Sequence, residues 1–170
     1  MYYWTSYASP LGEMTLAATD TLLLGVWFVG QKHYFGTYKQ EDFQVGANAV
    51  LQKGVRWLDD YFSGRQPGPW QVPINPAGTM FRRRVWQTLC QIPYGRTQTY
   101  AGLAELLQNA TGTVVSPQAV GAAVGCNPLA IIIPCHRVIG TGGSLGGYAA
   151  GTERKRRLLY SEGVDARRLK

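Results

Sequence analysis

Pro134-Cys135-His136-Arg137-Val138 places side chains able to do nucleophilic chemistry next to one another. The stretch follows an apolar run from Leu129 to Ile133, which reads as a buried strand. Cys135 therefore stands directly after a strand and a proline, with one of the chain's two histidines beside it. The thiolate is the reactive form of cysteine, and an adjacent imidazole is one way to obtain it near neutral pH. Cys90 and Cys126 lie in apolar helical patterns with no histidine beside them, and read as small buried hydrophobes.

The elements that must position this stretch are legible in outline. Residues 1–7 and 12–18 alternate as strands joined at Ser9-Pro10, and residues 22–29 form a third apolar run. Residues 47–61 have helical spacing, with Val50, Leu51, Val55, Leu58 and Tyr61-Phe62 on one side. From Ser63 to Gly78 the chain holds four prolines and four glycines or serines in sixteen residues, a turn-rich linker and the expected domain boundary. Thr79 then caps a helix that buries Phe81, Val85, Trp86 and Leu89 and turns Arg82, Arg83 and Arg84 outward. Those arginines are either a solvated face or contacts to an acidic partner. Pro93-Tyr94-Gly95 stops the helix, and Thr99 caps the next, through Tyr100, Leu103, Ala104 and Leu107. Ser116-Pro117 opens a further helix, Gln118 to Gly125, made largely of glycine and alanine. Two short helices with a turn between them suggest helix-turn-helix, a pattern shared with a plain helical hairpin. Residues 152–159 read as a last helix carrying four consecutive basic residues, Arg154 to Arg157, and the tail Arg167-Arg168-Leu169-Lys170 reads as frayed.

Composition narrows the classes. An apolar fraction of 45% with 16% charged residues is globular. No apolar run reaches the ~18 residues a membrane span needs, and the first residues lack the basic start and apolar core of a signal peptide. No membrane partner is expected. Three cysteines, an odd number, suit a reducing compartment, so a cytoplasmic protein is the default. The net charge of +7 is uneven: residues 1–78 carry five Lys/Arg against six Asp/Glu, and residues 79–170 twelve against four. All the excess positive charge lies in the half that holds Cys135, which favours an acidic partner there.

Ile133-Pro134-Cys135-His136-Arg137-Val138 resembles the active-site signature of the O6-alkylguanine-DNA alkyltransferases, also called methylated-DNA–protein-cysteine methyltransferases. Further motifs follow that family's order: Gly78-Thr79-Met80-Phe81 with Val85-Trp86, Ile92-Pro93-Tyr94-Gly95, Thr99-Tyr100 and Leu103-Ala104. Val120-Gly121, Asn127-Pro128, Gly146-Gly147-Tyr148, Lys155, Leu158-Leu159 and Glu162-Gly163 continue it. The resemblance is strong over residues 79–170 and one of general layout before them. It implies a two-domain α+β or α/β fold: residues 1–78 a ribonuclease H-like small sheet with a helix, residues 79–170 a mostly helical, winged-helix-like domain with a helix-turn-helix.

The same resemblance implies a DNA repair protein that moves the alkyl group of O6-alkylguanine irreversibly onto Cys135, once per molecule, after flipping the base out of the duplex. By it, His136 is linked through a water to Cys135 and accepts the thiol proton, Glu162 orients the imidazole, and Tyr100 donates a hydrogen bond to guanine N3. Gln118 stands where the family has an arginine that fills the vacated space, and Ala119, Ala122 and Ala123 form a small-residue face suited to a minor groove only ~6 Å wide. Asn127 ties the helix pair to the active-site segment, Val138, which completes the signature, counts among the substrate and DNA contacts, Gly146 and Tyr148 border the alkyl pocket, and Ala149 offers a backbone N–H. Arg137 is read as structural. Duplex DNA is the implied partner, a monomer the default, and no cofactor is expected. No four-ligand metal site can be built before Cys90, where only His33 is available. Two departures stand out: Gln118 itself, and the stretch from Asn109 to Val115, longer than the family's usual turn. Two other classes remain open on the sequence. A lesion-binding protein without chemistry would lack the cysteine, and a cysteine hydrolase using Cys135, His136 and Glu162 would have no use for a basic half.

Overall fold

The computed structural model describes all residues, 1–170, as two compact units, one of residues 1–77 and 128–132, the other of residues 78–127 and 133–170. The boundary at 77/78 falls where the proline-rich stretch ends. Residues 128–132 join the first unit although they lie deep in the second half of the chain.

In the first unit, β1 (Tyr3–Ser9) and β2 (Gly12–Ala18) form an antiparallel hairpin, β3 (Leu23–Phe28) pairs with β2, and β4 (Gln44–Val45) pairs parallel to β1. The sheet order is β3-β2-β1-β4. β3 is buried along its whole length, so both of its faces are covered. Helix α1 (Ala49–Phe62) turns Val50, Leu51, Trp57, Leu58 and Tyr61 inward. Asn48 caps it, its Oδ1 accepting the Leu51 N–H at 2.8 Å. Val55 and Phe62, expected on the buried side, are only half-buried, and Trp57 takes their place. Trp27, Phe35 and Phe43 form an aromatic cluster, with Trp27 and Phe35 stacked at 5.1 Å.

The free edge of β3 is not left open. Leu23 donates to the Pro73 carbonyl at 2.8 Å, Val26 to Pro128 at 2.8 Å, and the Ala130 N–H donates back to Val26 at 2.9 Å. The 129–133 run is buried as expected but is not a regular strand: Leu129, Ala130 and Ile133 make isolated bridges, and the chain turns at Ile131-Ile132. Ile131 sits at φ 71°, a conformation costly for a β-branched residue, held because its side chain is fully enclosed. An apolar run cannot reveal whether a strand partner exists along its length, which is why the pattern reads as a strand.

The second unit contains α2 (Met80–Leu89), α3 (Tyr100–Thr111), α4 (Pro117–Gly125), α5 (Thr152–Ser161) and a short parallel pair, β5 (Gln98–Thr99) with β6 (Val138–Ile139). Each of the first three helices starts at a hydroxyl. Thr79 accepts the Arg82 N–H at 3.2 Å, Thr99 the Gly102 N–H at 2.9 Å, and Ser116 the Ala119 N–H at 3.1 Å. α2, α3 and α4 pack on one another through Val85, Trp86, Leu89, Leu103, Leu107, Val120 and Val124. The Trp86 indole N–H donates to the Ala123 carbonyl at 2.9 Å, fixing α2 against the end of α4. Phe81 is exposed rather than part of that stripe, because it sits in the first turn of α2 before the helix meets its neighbours.

The tail is not frayed. Leu169 packs on Ile139, Leu145 and Leu159, and the Lys170 N–H donates to the Gly143 carbonyl at 2.8 Å. No helix is long and apolar enough to cross a membrane.

Candidate active site

Cys135 lies on a single 3-10 turn, Cys135–Arg137, that runs straight into β6. Pairing of β6 with β5 anchors that turn beside the start of α3, so Tyr100, the first residue of α3, is brought close to it. The thiol is buried. Burial pushes its pKa above the usual range, against which a hydrogen bond from the Asn127 side chain, the Lys155 charge and the backbone N–H groups of Cys135 and His136 pull it down. The Asn127 amide also donates to the Ile133 carbonyl at 2.8 Å. Asn127 thus holds the segment entering the turn and touches the sulfur as well, more than the tethering role expected for it.

Behind Cys135 stands a chain of ionisable groups, His136 and Glu162 buried and Arg137 nearly so. His136 Nε2 is 2.7 Å from Glu162 Oε1. Glu162 also accepts from Arg137, Nε to Oε2 at 2.9 Å and Nη2 to Oε1 at 3.0 Å, and from the Gly95 N–H at 3.1 Å. Burial alone would raise the Glu162 pKa, but His136 and Arg137 outweigh it and hold the carboxyl down at about 2. An ionised Glu162 must receive a proton from Nε2, which leaves the Nδ1 position of a neutral imidazole as the base. Burial lowers the His136 pKa, so the neutral ring is the resting form.

Two glycines make these approaches possible. Gly95 has φ 77°, and a Cβ there would lie 2.9 Å from the Glu162 carbonyl oxygen. Gly146 has φ 67°, and a Cβ there would lie 3.1 Å from the Tyr100 hydroxyl. Tyr100 is half-buried, its pKa raised by burial and by its nearness to Cys135. Tyr148 and Ala149 are half-buried in the segment that follows.

Two charged residues matter more than the sequence indicates. Arg137, besides holding Glu162, donates from Nη1 to the Ile92 carbonyl at 2.7 Å. Lys155 belongs to the basic run Arg154 to Arg157, yet it is fully buried. Its Nζ donates to the Gly147 carbonyl at 3.1 Å and lies 5.8 Å from the centre of the Tyr100 ring. A signal for this existed, since Lys155 is three and four residues before Leu158 and Leu159, on the same helical stripe. For Arg137 there was none, its partners lying far away in sequence.

Burial lowers the Lys155 pKa from 10.5 to about 8, so at neutral pH the charge persists at a cost. A Lys155→Met variant is therefore expected to be more stable at pH 7, by about 1–3 kcal/mol. The gain shrinks as pH rises from about 8 toward 10.5, because there the parent's folded form has already shed the proton that the unfolded chain keeps. Urea unfolding of both proteins at the two ends of that window checks it. Alkylation of Cys135 should be slower in the same variant, because a cation near the sulfur is gone.

Along α4, Gln118, Ala119 and Ala122 are exposed, whereas Ala123 is buried under Trp86. Helical periodicity turns positions 120, 123 and 124 inward, which removes Ala123 from the expected groove face. Val138 is likewise fully buried in β6 and offers no outward contact. Neither other cysteine has this setting. Cys90 and Cys126 follow the last residues of α2 and α4 and are half-buried rather than core, and burial raises the Cys90 pKa to about 11.

Comparison with known proteins identifies the family. The family model described as 6-O-methylguanine DNA methyltransferase, ribonuclease-like domain, matches residues 2–76, and that described as the DNA binding domain matches residues 80–164. A methylated-DNA–protein-cysteine methyltransferase of Mycobacterium leprae is 39% identical over 165 residues, covering 95% of this chain and 93% of the relative. One of Methanosarcina acetivorans is 38% identical over 161 residues, covering 95% and 98%. The crystal structure of Mycobacterium tuberculosis OGT in complex with DNA superposes with a TM-score of 0.83 at 35% identity, over 98% of this chain and 94% of that one. Because both units are matched in order and the relatives run nearly end to end with it, this chain belongs to the 6-O-methylguanine DNA methyltransferase family.

Proposed function

We propose that this protein repairs O6-alkylguanine in DNA by taking the alkyl carbon onto Cys135 Sγ. The step is one in-line displacement. A sulfur lone pair forms the C–S bond while the C–O6 bond breaks, and its electrons pass into the guanine, which a proton then restores. The thioether formed is stable, because displacing its alkyl carbon would have to expel the cysteine thiolate, so each molecule acts once. The observation that carries the reading is a buried thiol whose neighbouring imidazole lies 2.7 Å from a buried carboxylate.

Each neighbour has a role in this scheme. His136, neutral at rest, accepts the thiol proton, by way of a water, and the resulting imidazolium meets the Glu162 carboxylate 2.7 Å away. Arg137 keeps that carboxylate ionised and fixed. The Tyr100 hydroxyl, kept protonated by its raised pKa, donates to the leaving base at N3. Gly146 and Tyr148 border the alkyl group, and Ala149 offers a backbone N–H to the bound nucleotide.

On the DNA side, the exposed face of α4 at Gln118, Ala119 and Ala122 is narrow enough for a minor groove. Extruding the target nucleotide costs a few kcal/mol, less for a lesion that pairs poorly. Gln118 fills the vacated space without a charge, so Gln118→Arg is expected to tighten binding to lesion-bearing duplex on the order of tenfold. Single-stranded substrate should respond less, and an equal gain on both would remove Gln118 from this role. A monomer acting in the cytoplasm suits a chain with three unpaired cysteines.

The test mixes excess protein with a short duplex carrying one O6-methylguanine and follows intact and peptide mass spectra. One methyl gained at Cys135 with guanine restored is the expected result. Binding without methyl gain would place the chain among lesion-binding proteins instead.

A further inference from the structure

Two features are left unused by the alkyl-transfer scheme: the Arg82-Arg83-Arg84 run and the long turn between α3 and α4. The fold brings Arg84 of that run and residues of the turn into the lining of one groove. One compartment, about 420 Å³, lies between Phe81 and Arg84 of α2, Thr111 of α3, and Val114 and Ser116 of the turn. A second, about 470 Å³, continues past Arg84 along Gln87 and Gln91. Arg84, Leu107 and Thr111 line both, so the two form a continuous channel across the outer side of α2 and α3.

We infer that this groove holds the sugar–phosphate backbone of DNA beside the segment read by α4, an inference that rests on the DNA-binding reading above. The lining contains no carboxylate. The Arg84 guanidinium is exposed and makes no ion pair within the protein, in a half of the chain with twelve basic residues against four acidic. Hydroxyls and amides along the walls add hydrogen-bond donors for phosphate oxygens. Val114, 85% exposed, and Phe81, 36% exposed, supply apolar surface that suits the deoxyribose between phosphates. Ser116 and Ala119 belong to the start of α4, so the groove runs directly into the face proposed to meet the minor groove. An acidic protein segment would satisfy the same arginine, but it would not reproduce the salt dependence of counterion release.

The experiment measures binding of an undamaged duplex by fluorescence anisotropy across a salt series. Arg84→Ala is expected to lower the slope of log affinity against log salt by about 0.9, so that raising salt from about 50 to 200 mM costs the variant about 3.5-fold less affinity than the parent. Arg84→Lys should keep the parent slope. Val114→Glu, at an exposed site where folding is not at risk, should weaken binding and flatten the slope by placing a carboxylate in the groove. Arg167→Ala, whose side chain is 91% exposed and does not line the groove, should leave the slope unchanged. Unaltered slopes in Arg84→Ala and Val114→Glu, or an equal change in Arg167→Ala, would overturn the inference. Since the duplex carries no lesion, the readout is independent of whether Cys135 is alkylated, and failure of the groove is distinguishable from failure of the transfer scheme.

Discussion

A Glu162→Gln variant is expected to lose about 3–5 kcal/mol of folding stability and to transfer alkyl groups about 10²–10⁴ times more slowly. Both effects have one source. The carboxylate accepts from His136, from two nitrogens of Arg137 and from the Gly95 N–H, and none of these donors is well placed to find water. A glutamine keeps the shape but turns one acceptor into a donor and leaves the Arg137 guanidinium, 11% exposed, without its anion. It also removes the charge that stabilises a protonated His136, so the thiol proton has a poorer destination.

Acid should separate the contributions. Glu162 has its pKa depressed from 4.5 to about 2, so its stabilisation is complete above about 4.5 and is lost as pH falls toward about 2. The amount is on the order of 3 kcal/mol. His136 acts earlier. Its folded-state pKa is lowered below 6.5, so below that pH the unfolded chain takes up a proton that the folded imidazole resists, and stability declines. The parent should therefore weaken in two stages on acidification, and Glu162→Gln should lack the lower one. Urea unfolding at pH 7, 5 and 3 reads this directly. Equal stability of parent and variant at pH 7 would mean that this chain of ionisable groups does not act as described.

Cys135→Ala is expected to abolish methyl uptake altogether while duplex binding persists, because α4 and its exposed face do not depend on the thiol. Neither remaining cysteine should substitute. Cys90 is held as a thiol by a pKa of about 11, and no imidazole stands beside it. Loss of one small buried side chain should cost folding only about 1 kcal/mol. Peptide mass spectrometry of parent and variant after reaction with O6-methylguanine duplex decides the matter, and a methyl found on Cys90 or Cys126 in the parent would reassign the nucleophile.

Much of this architecture is legible from local chemistry. Thr79, Thr99 and Ser116 announce their helices because a cap is made within three residues, so its partners are adjacent in sequence. The strands of the first hairpin follow from alternation and from the turn at Ser9-Pro10. The 129–133 run was misleading for the opposite reason. Its burial is visible in its apolarity, but whether it pairs depends on β3, a hundred residues earlier in the chain. Ala123 and Val138 were assigned to the DNA side from their place in a motif. Packing under Trp86 and pairing with Gln98 put both inside.

For the site, the sequence by itself determined the reactive types and their order: a cysteine after a proline, a histidine beside it, a glutamate near the end of the chain and a tyrosine opening a helix. It also determined the small-residue surface of α4, because side-chain size is a property of each position alone. The tertiary structure decided which charges meet. Arg137 reaches Glu162 across 25 residues and Ile92 across 45, and Lys155 leaves its basic neighbours for a buried place beside Tyr100. The physical reason is that burying a charge is costly unless a partner waits at hydrogen-bond distance. Whether one waits is settled by the packing of distant elements, which no local pattern records.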